Sequence, residues 1–387
     1  MLDARARRAI PLIAAALAVI VVAGLLYLRA NVPTSSAVHG APSVPIVSGQ
    51  YSVGYDFISP SLGWAVVMQR QNSPTFWVYE TTDGARSWAK RFTGHVAQGE
   101  PATVHFFDRD HGIFYAGVLY RTSDGGAHWS AISLPEGTPS FVFASATRGW
   151  AVAFEPDPAS TAHLYSTVDG GLFWNRLEPG SYPWAEGGTP NLDFRADGEG
   201  WTGADGAGPT VYSTRDGGAS WRAIALPVAQ PSGVTPTPPS GKGFPLGYHT
   251  SVVLLPGNGV IAQVADYSGA VGGAFTSFDH GQSWRLIPPP PAPAELADLS
   301  FVDSRHWWAS RWDILFKTSD AGQTWTPVHT VPPDIPGDWT FGPAHVIDSG
   351  HAWLQMTSAN RRNGASGLEM TSDGGVHWVA ANVPEPG

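Results

Sequence analysis

The chain has 387 residues, with 45 glycines, 34 prolines, 17 tryptophans, no cysteine and only 14% charged residues. So aromatic and charge-poor a composition excludes a disordered chain, the glycine and proline content excludes long helices, and the missing cysteine excludes disulfides, thiolate metal sites and cysteine nucleophiles. The 22 basic residues against 32 acidic ones, a net of −10, lack the positive footprint that nucleic acid requires.

Residues 1–8, which include Arg5, Arg7 and Arg8, read as a short cytoplasmic tail. Residues 9–28 are an uncharged, mostly apolar run, long enough at 1.5 Å per residue to span about 30 Å of hydrocarbon. Basic residues concentrate before it, which places the N-terminus in the cytoplasm and the remainder outside, as a single-pass anchor in the cell membrane. The competing reading is a cleaved signal peptide, whose apolar region usually runs about 7–15 residues. A lipoprotein anchor is excluded, since there is no cysteine to acylate. Residues 29–49 then read as a flexible stalk rich in Ser, Pro and Gly. Beyond residue 29 the chain holds 18 basic and 31 acidic residues, a net of −13.

From residue 50 to 387 one repeat governs the chain. Residues 81–88 (TTDGARSW), 122–129 (TSDGGAHW), 167–174 (TVDGGLFW), 214–221 (TRDGGASW), 277–284 (SFDHGQSW), 318–325 (TSDAGQTW) and 371–378 (TSDGGVHW) share one pattern. Asp83, Asp124, Asp169, Asp216, Asp279, Asp320 and Asp373 each stand five residues before Trp88, Trp129, Trp174, Trp221, Trp284, Trp325 and Trp378. Successive aspartates lie 41, 45, 47, 63, 41 and 53 residues apart. Upstream of most copies comes an apolar strand, a short turn and a Gly-Trp strand, as at Gly63-Trp64, Gly149-Trp150 and Gly200-Trp201. A third strand ends at the Thr or Ser of the pattern, and a fourth is expected to start at its tryptophan. Four short strands in each unit of 40–50 residues predict an all-β fold, a seven-bladed β-propeller of four-stranded blades. Each blade can be complete in its own segment, and a strand at residues 44–47 could pair with the last blade as a latch.

The pattern has a physical account. The aspartate accepts backbone N–H bonds, glycine takes positive φ without strain, the Thr or Ser hydroxyl adds a bond, and the tryptophan buries its ring. The seven aspartates and tryptophans are therefore read as structural. These segments resemble the Asp-box, or bacterial neuraminidase repeat. With the Gly-Trp strands, the units resemble the photosystem II assembly-factor family of seven-bladed propellers and its non-photosynthetic bacterial relatives, over about residues 50–382. The resemblance implies a non-catalytic scaffold that binds a membrane or envelope protein, with a glycan as the alternative ligand and no cofactor. The family is associated with an arginine-rich patch, whereas here no more than two or three arginines cluster.

All seven boxes lie on one face of such a ring, with the first-to-second turns. Between-blade connections and second-to-third loops emerge on the opposite face, where relatives that bind ligands generally work. The candidate partner-binding residues on that face are Arg70, Trp184, Glu186, Asp266, Trp339, Arg361 and Arg362. Once the repeat tryptophans are set aside, Trp77, Trp184, Trp307, Trp312 and Trp339 remain for function.

Enzyme chemistry finds no set of residues. A sialidase needs an arginine triad and a Tyr/Glu nucleophile pair; the nearest strings to its arginine signature, Phe194-Arg195-Ala-Asp and Tyr120-Arg121-Thr-Ser, do not fit. Another glycoside hydrolase needs only two carboxylates at a set separation, and Glu186 with Asp266 is one pair among many. Gly241-Lys242-Gly is not a phosphate loop, because Ser or Thr does not follow the lysine. The 13 histidines show no metal-ligand spacing, so no metal site is expected.

Overall fold

In the computed structural model the described residues are 47–48, 51–69, 75–96, 103–138, 140–154, 162–177, 191–206, 208–228, 248–266, 272–288, 298–331, 339–358 and 365–386. The apolar run 9–28 and all of the stalk except residues 47–48 lie outside them.

The strands form seven antiparallel sheets, each a four-strand meander, arranged as a seven-bladed propeller. Blade 1 comprises Tyr51–Phe57, Gly63–Gln69, Thr75–Thr81 and Ala89–His95; blade 2 comprises Thr103–Phe106, Gly112–Tyr115, Leu119–Thr122 and Ser130–Ile132. Blade 3 comprises Ser140–Phe143, Gly149–Phe154, Ala162–Thr167 and Asn175–Arg176; blade 4 comprises Leu192–Phe194, Gly200–Gly203, Thr210–Thr214 and Arg222–Ala225. Blade 5 comprises Tyr248–Leu254, Val260–Asp266, Gly272–Ser277 and Arg285–Ile287; blade 6 comprises Asp298–Phe301, Trp307–Arg311, Ile314–Thr318 and Thr326–Thr330. Blade 7 comprises Trp339–Val346, Ala352–Ser358, Ala365–Thr371 and Val379–Ala381.

Every third strand ends on the Thr or Ser of the repeat. Every fourth strand begins one residue after the tryptophan, not on it. The reason is that the indole belongs to the neighbouring junction: Trp88, Trp174 and Trp325 donate Nε1–H to the carbonyls of Asn382, Ser133 and Pro288, each the residue just past the fourth strand of the preceding blade.

The core is not central. Seven apolar clusters among the described residues fill the seven junctions between neighbouring blades. A sheet buries both faces only by stacking on its neighbours, so the ring is the smallest stable unit. Three junctions share one aromatic arrangement. The second-strand tryptophan of one blade lies flat on the last phenylalanine of the next blade's first strand: Trp64 on Phe106 at 3.6 Å, Trp150 on Phe194 at 4.1 Å and Trp353 on Phe57 at 3.9 Å. The turn tryptophan of the second blade meets the same phenylalanine edge-on, as Trp129 does Phe106. This explains the Gly-Trp pair. Phe57 pairs across the sheet with Gly63, where a Cβ would meet the ring at 2.3 Å, so only hydrogen fits beneath it. In blade 6 the adjacent Trp307 and Trp308 point to opposite faces and fill one junction each.

The ring closes between blades 7 and 1. Val47–Ser48 pairs with the third strand of blade 7, through Val47↔Ser366 and Ser48↔Ala365, close to the latch position expected from the sequence. Beyond the last strand, Asn382 N–H donates to the Ala85 carbonyl at 2.9 Å, and Tyr79 Oη–H donates to the Glu385 carbonyl at 2.5 Å.

Candidate functional site

On one face the seven turns close by a shared set of bonds, to which six add a side-chain bond to the second aspartate oxygen. In the first, Thr81 Oγ1–H donates to Asp83 Oδ1 at 2.8 Å, and Oγ1 accepts from Ala85 N–H at 2.9 Å. Asp83 Oδ1 accepts from Ser87 N–H at 2.9 Å and Oδ2 from Ser87 Oγ–H at 2.6 Å. These donors hold the carboxyls below the usual range. The N–H and then the imidazole of His128 bring Asp124 down to about 2, and the hydroxyl and then the N–H of Ser283 bring Asp279 to about 2. Such carboxylates are committed to their own hairpins.

The opposite face carries the between-blade connections and the second-to-third turns. Arg70, Trp184, Glu186, Arg361 and Arg362 lie outside the described residues. Asp266 is placed by its backbone, at the end of the second strand of blade 5 opposite Tyr248. Trp339 opens the first strand of blade 7, but it is a buried member of the junction with blade 6, beside Phe341 and Met356. It is a packing residue, not an exposed loop aromatic, because its strand begins there and turns the indole towards blade 6. Trp307 is fully buried and Trp77 half-buried.

Trp312, one of the five tryptophans that the repeat leaves for function but not one of the partner-binding candidates, is different. It occupies the two-residue turn between Arg311 and Ile314, which pair across the second and third strands of blade 6. Its φ is +51°, in the left-handed region that favours Gly or Asn, and its side chain is 68% exposed. The turn is held rigid: Phe341 N–H of blade 7 donates to the Trp312 carbonyl at 2.5 Å, and Val331 N–H donates to that of Asp313 at 3.0 Å. The sequence carried a signal for it, since a hairpin only two residues long has an indole where Asn or Gly is usual.

At three junctions the N–H groups of a blade's first strand are capped by a side chain of the preceding blade. Asp56 Oδ2 accepts from Phe106 N–H, and Asp193 Oδ2 accepts from Leu254 N–H at 2.8 Å. At the equivalent place His345 Nε2 lies 2.9 Å from Phe57 N. Between blades 4 and 5 the cap is extensive. Asn191 Oδ1 accepts from Val252 N–H at 2.6 Å, the Ala204 carbonyl from Thr250 N–H at 3.3 Å, and Asp205–Gly206 adds a short fifth strand to blade 5. Burial pushes the Asp193 carboxyl up, against the Leu254 and Phe194 N–H donors and the Arg195 charge. Its oxygen serves the next blade's backbone. Among the described residues no group of three or more His, Asp or Glu could hold a metal ion.

No family model matches the chain, and no curated protein matches it. Solved structures do. YCF48 bound to D1 peptide is similar at 17% identity and a TM-score of 0.53, over 89% of this chain and 100% of that one. YCF48 from Cyanidioschyzon merolae is similar at 16% identity and a TM-score of 0.54, over 86% and 99%. The BP39L lectin from Burkholderia pseudomallei is similar at 12% identity and a TM-score of 0.50, over 87% and 99%. At these identities the likeness is one of fold, the propeller that the repeats predicted.

Proposed function

We propose that the ring is a non-catalytic binding scaffold, held outside the cell membrane by residues 9–28, that engages a protein partner on the face opposite the seven turns. The observation that carries this reading is Trp312. A rigid turn holds a large aromatic residue in a conformation that disfavours it, and presents the ring to solvent. Exposed tryptophans on rigid supports are the residues that dominate protein interfaces, and strain of this kind collects at functional positions. The YCF48 structure with a D1 peptide supports the reading to the extent that a ring of this fold holds a segment of another protein.

The test is recovery of partners from solubilised membranes with the full chain and with Trp312→Asn, which removes the indole at a conformation asparagine tolerates. A membrane protein held by the wild type and lost at least tenfold in Trp312→Asn is the expected result. Recovery of no membrane protein, or equal recovery by both chains, overturns the proposal. An exposed indole also stacks on sugar rings. Binding of the full chain to a defined glycan on an array, abolished in Trp312→Asn, would replace the protein reading with the glycan one.

A further inference from the structure

The seven turns act as controls for one another, and one of them departs. In six, the residue before the tryptophan is Ser, Thr or His, and its side chain bonds the second aspartate oxygen. The distances are 2.6 Å from Ser87 to Asp83, 2.6 Å from His128 to Asp124, 2.6 Å from Ser220 to Asp216, 2.5 Å from Ser283 to Asp279, 2.7 Å from Thr324 to Asp320 and 2.6 Å from His377 to Asp373. In blade 3 the residue is Phe173. Its backbone N–H still donates to Asp169 Oδ1 at 3.1 Å, but a phenyl ring has no donor for Oδ2.

The rest of that turn is built like the others. Thr167 Oγ1 bonds Asp169 Oδ1 and Gly171 N–H, and Trp174 Nε1–H donates to the Ser133 carbonyl. Arg121 of blade 2 also donates to the Asp169 carbonyl at 2.8 Å. On this fixed frame Phe173 is 75% exposed, Leu172 59% and Val168 69%. At the position of Val168 the other turns have Thr82, Ser123, Arg215, Phe278, Ser319 and Ser372, and at that of Leu172 they have Arg86, Ala127, Ala219, Gln282, Gln323 and Val376. Only blade 3 is apolar at all three places. These side chains do not pack the ring, and the phenylalanine removes a bond that every other turn keeps. Exposed apolar side chains gathered on a single turn mark contact with a partner.

Charge decides what covers them. The chain beyond residue 29 carries a net of −13, and the patch itself holds a carboxylate oxygen left without its side-chain donor. An anionic lipid surface would be repelled, and a second copy would set Asp169 against a like-charged ring. We propose that the third turn is a docking site, on the face away from Trp312, for a protein segment that presents a Lys or Arg donor between apolar side chains. The donor replaces the missing serine at Asp169 Oδ2, and the apolar groups cover Val168, Leu172 and Phe173. The site is independent of the one proposed above, so either can fail alone.

The test places a photo-crosslinking amino acid at Val168 of the full chain, in the cells that make it, with and without Phe173→Ser. Serine restores the common turn, so this variant is expected to melt about 2 °C higher while the crosslink falls at least tenfold. The crosslinked segment, sequenced by mass spectrometry, is expected to carry Lys or Arg within two residues of apolar side chains. The proposal is overturned by a crosslink to lipid alone, to a second copy or to an acidic segment, by no crosslink, or by a yield unchanged in Phe173→Ser. A melting point lowered by Phe173→Ser also overturns it, because the phenyl ring would then be packing the fold.

Discussion

Trp353 of the last blade lies flat on Phe57 of the first, with ring centroids 3.9 Å apart and planes 5° from parallel. The stack repeats those of Trp64 on Phe106 and Trp150 on Phe194, and Trp353 Nε1–H donates to the Gly84 carbonyl as Trp64 Nε1–H does to that of Gly125. The seam that closes the ring is thus chemically the same as seams inside it. Trp353→Ala is expected to cost about 3–5 kcal/mol, close to the cost of Trp64→Ala. Urea unfolding of both variants checks this, and a Trp353→Ala loss below 1 kcal/mol would show that the seam is closed by other contacts.

Trp312→Asn is expected to stabilise the ring by about 0.5–1 kcal/mol, because asparagine tolerates the left-handed turn and little indole is buried. Thermal unfolding decides the matter. A destabilised variant would mean that the ring packs against the surface more than its exposure indicates.

Gly203 ends the second strand of blade 4 where the chain crosses to cap blade 5. A Cβ there would stand 1.8 Å from the Thr250 carbonyl oxygen. Gly203→Ala is therefore expected to cost about 1–3 kcal/mol by displacing backbone, and to speed amide exchange at Thr250 and Val252. Hydrogen exchange by mass spectrometry on the first strand of blade 5 would reveal it. Unchanged exchange there would contradict the capping role.

Acid should weaken the fold in a defined window. Asp124, Asp279, Asp320 and Asp373 sit at about 2 in the folded ring, below an unfolded aspartate at about 3.9. A depressed carboxyl contributes stability that is full above the unfolded value and is lost as pH falls through the folded one. The urea midpoint is expected to decline from about pH 4 towards pH 2 through these groups, each contributing modestly because each is exposed. A midpoint that held constant from pH 4 to pH 2.5 would refute it.

The fold was legible because the repeat is local. Asp, Gly and Trp at fixed spacing specify a turn whose Asp and Thr or Ser side-chain bonds lie within the same eight residues, and seven copies specify the ring. Contacts between blades were not legible. Asp56, Asp193 and His345 stand on unremarkable strands and Asn191 just before one, and their service to the next blade depends on stacking that no single unit encodes. Trp339 illustrates the same limit: its strand start and its burial against blade 6 are products of the junction. Phe173 was visible as a variant of the repeat, but its meaning needed the exposure of its ring and the loss of a bond that the other six turns keep. Arg70, Trp184, Glu186, Arg361 and Arg362 lie outside the described residues.

The tail from Asn382 to Glu385 performs for blade 1 what a covalent connection performs elsewhere. Asn382 accepts from Trp88 as Ser133 does from Trp174, although no peptide bond joins blade 7 to blade 1. Covalent order is thus separable from the architecture. A chain cut between two other blades, with its present ends joined by a linker, would meet the same set of junctions in a rotated sequence. The circle has a seam by virtue of synthesis, and the packing within it does not record where synthesis began.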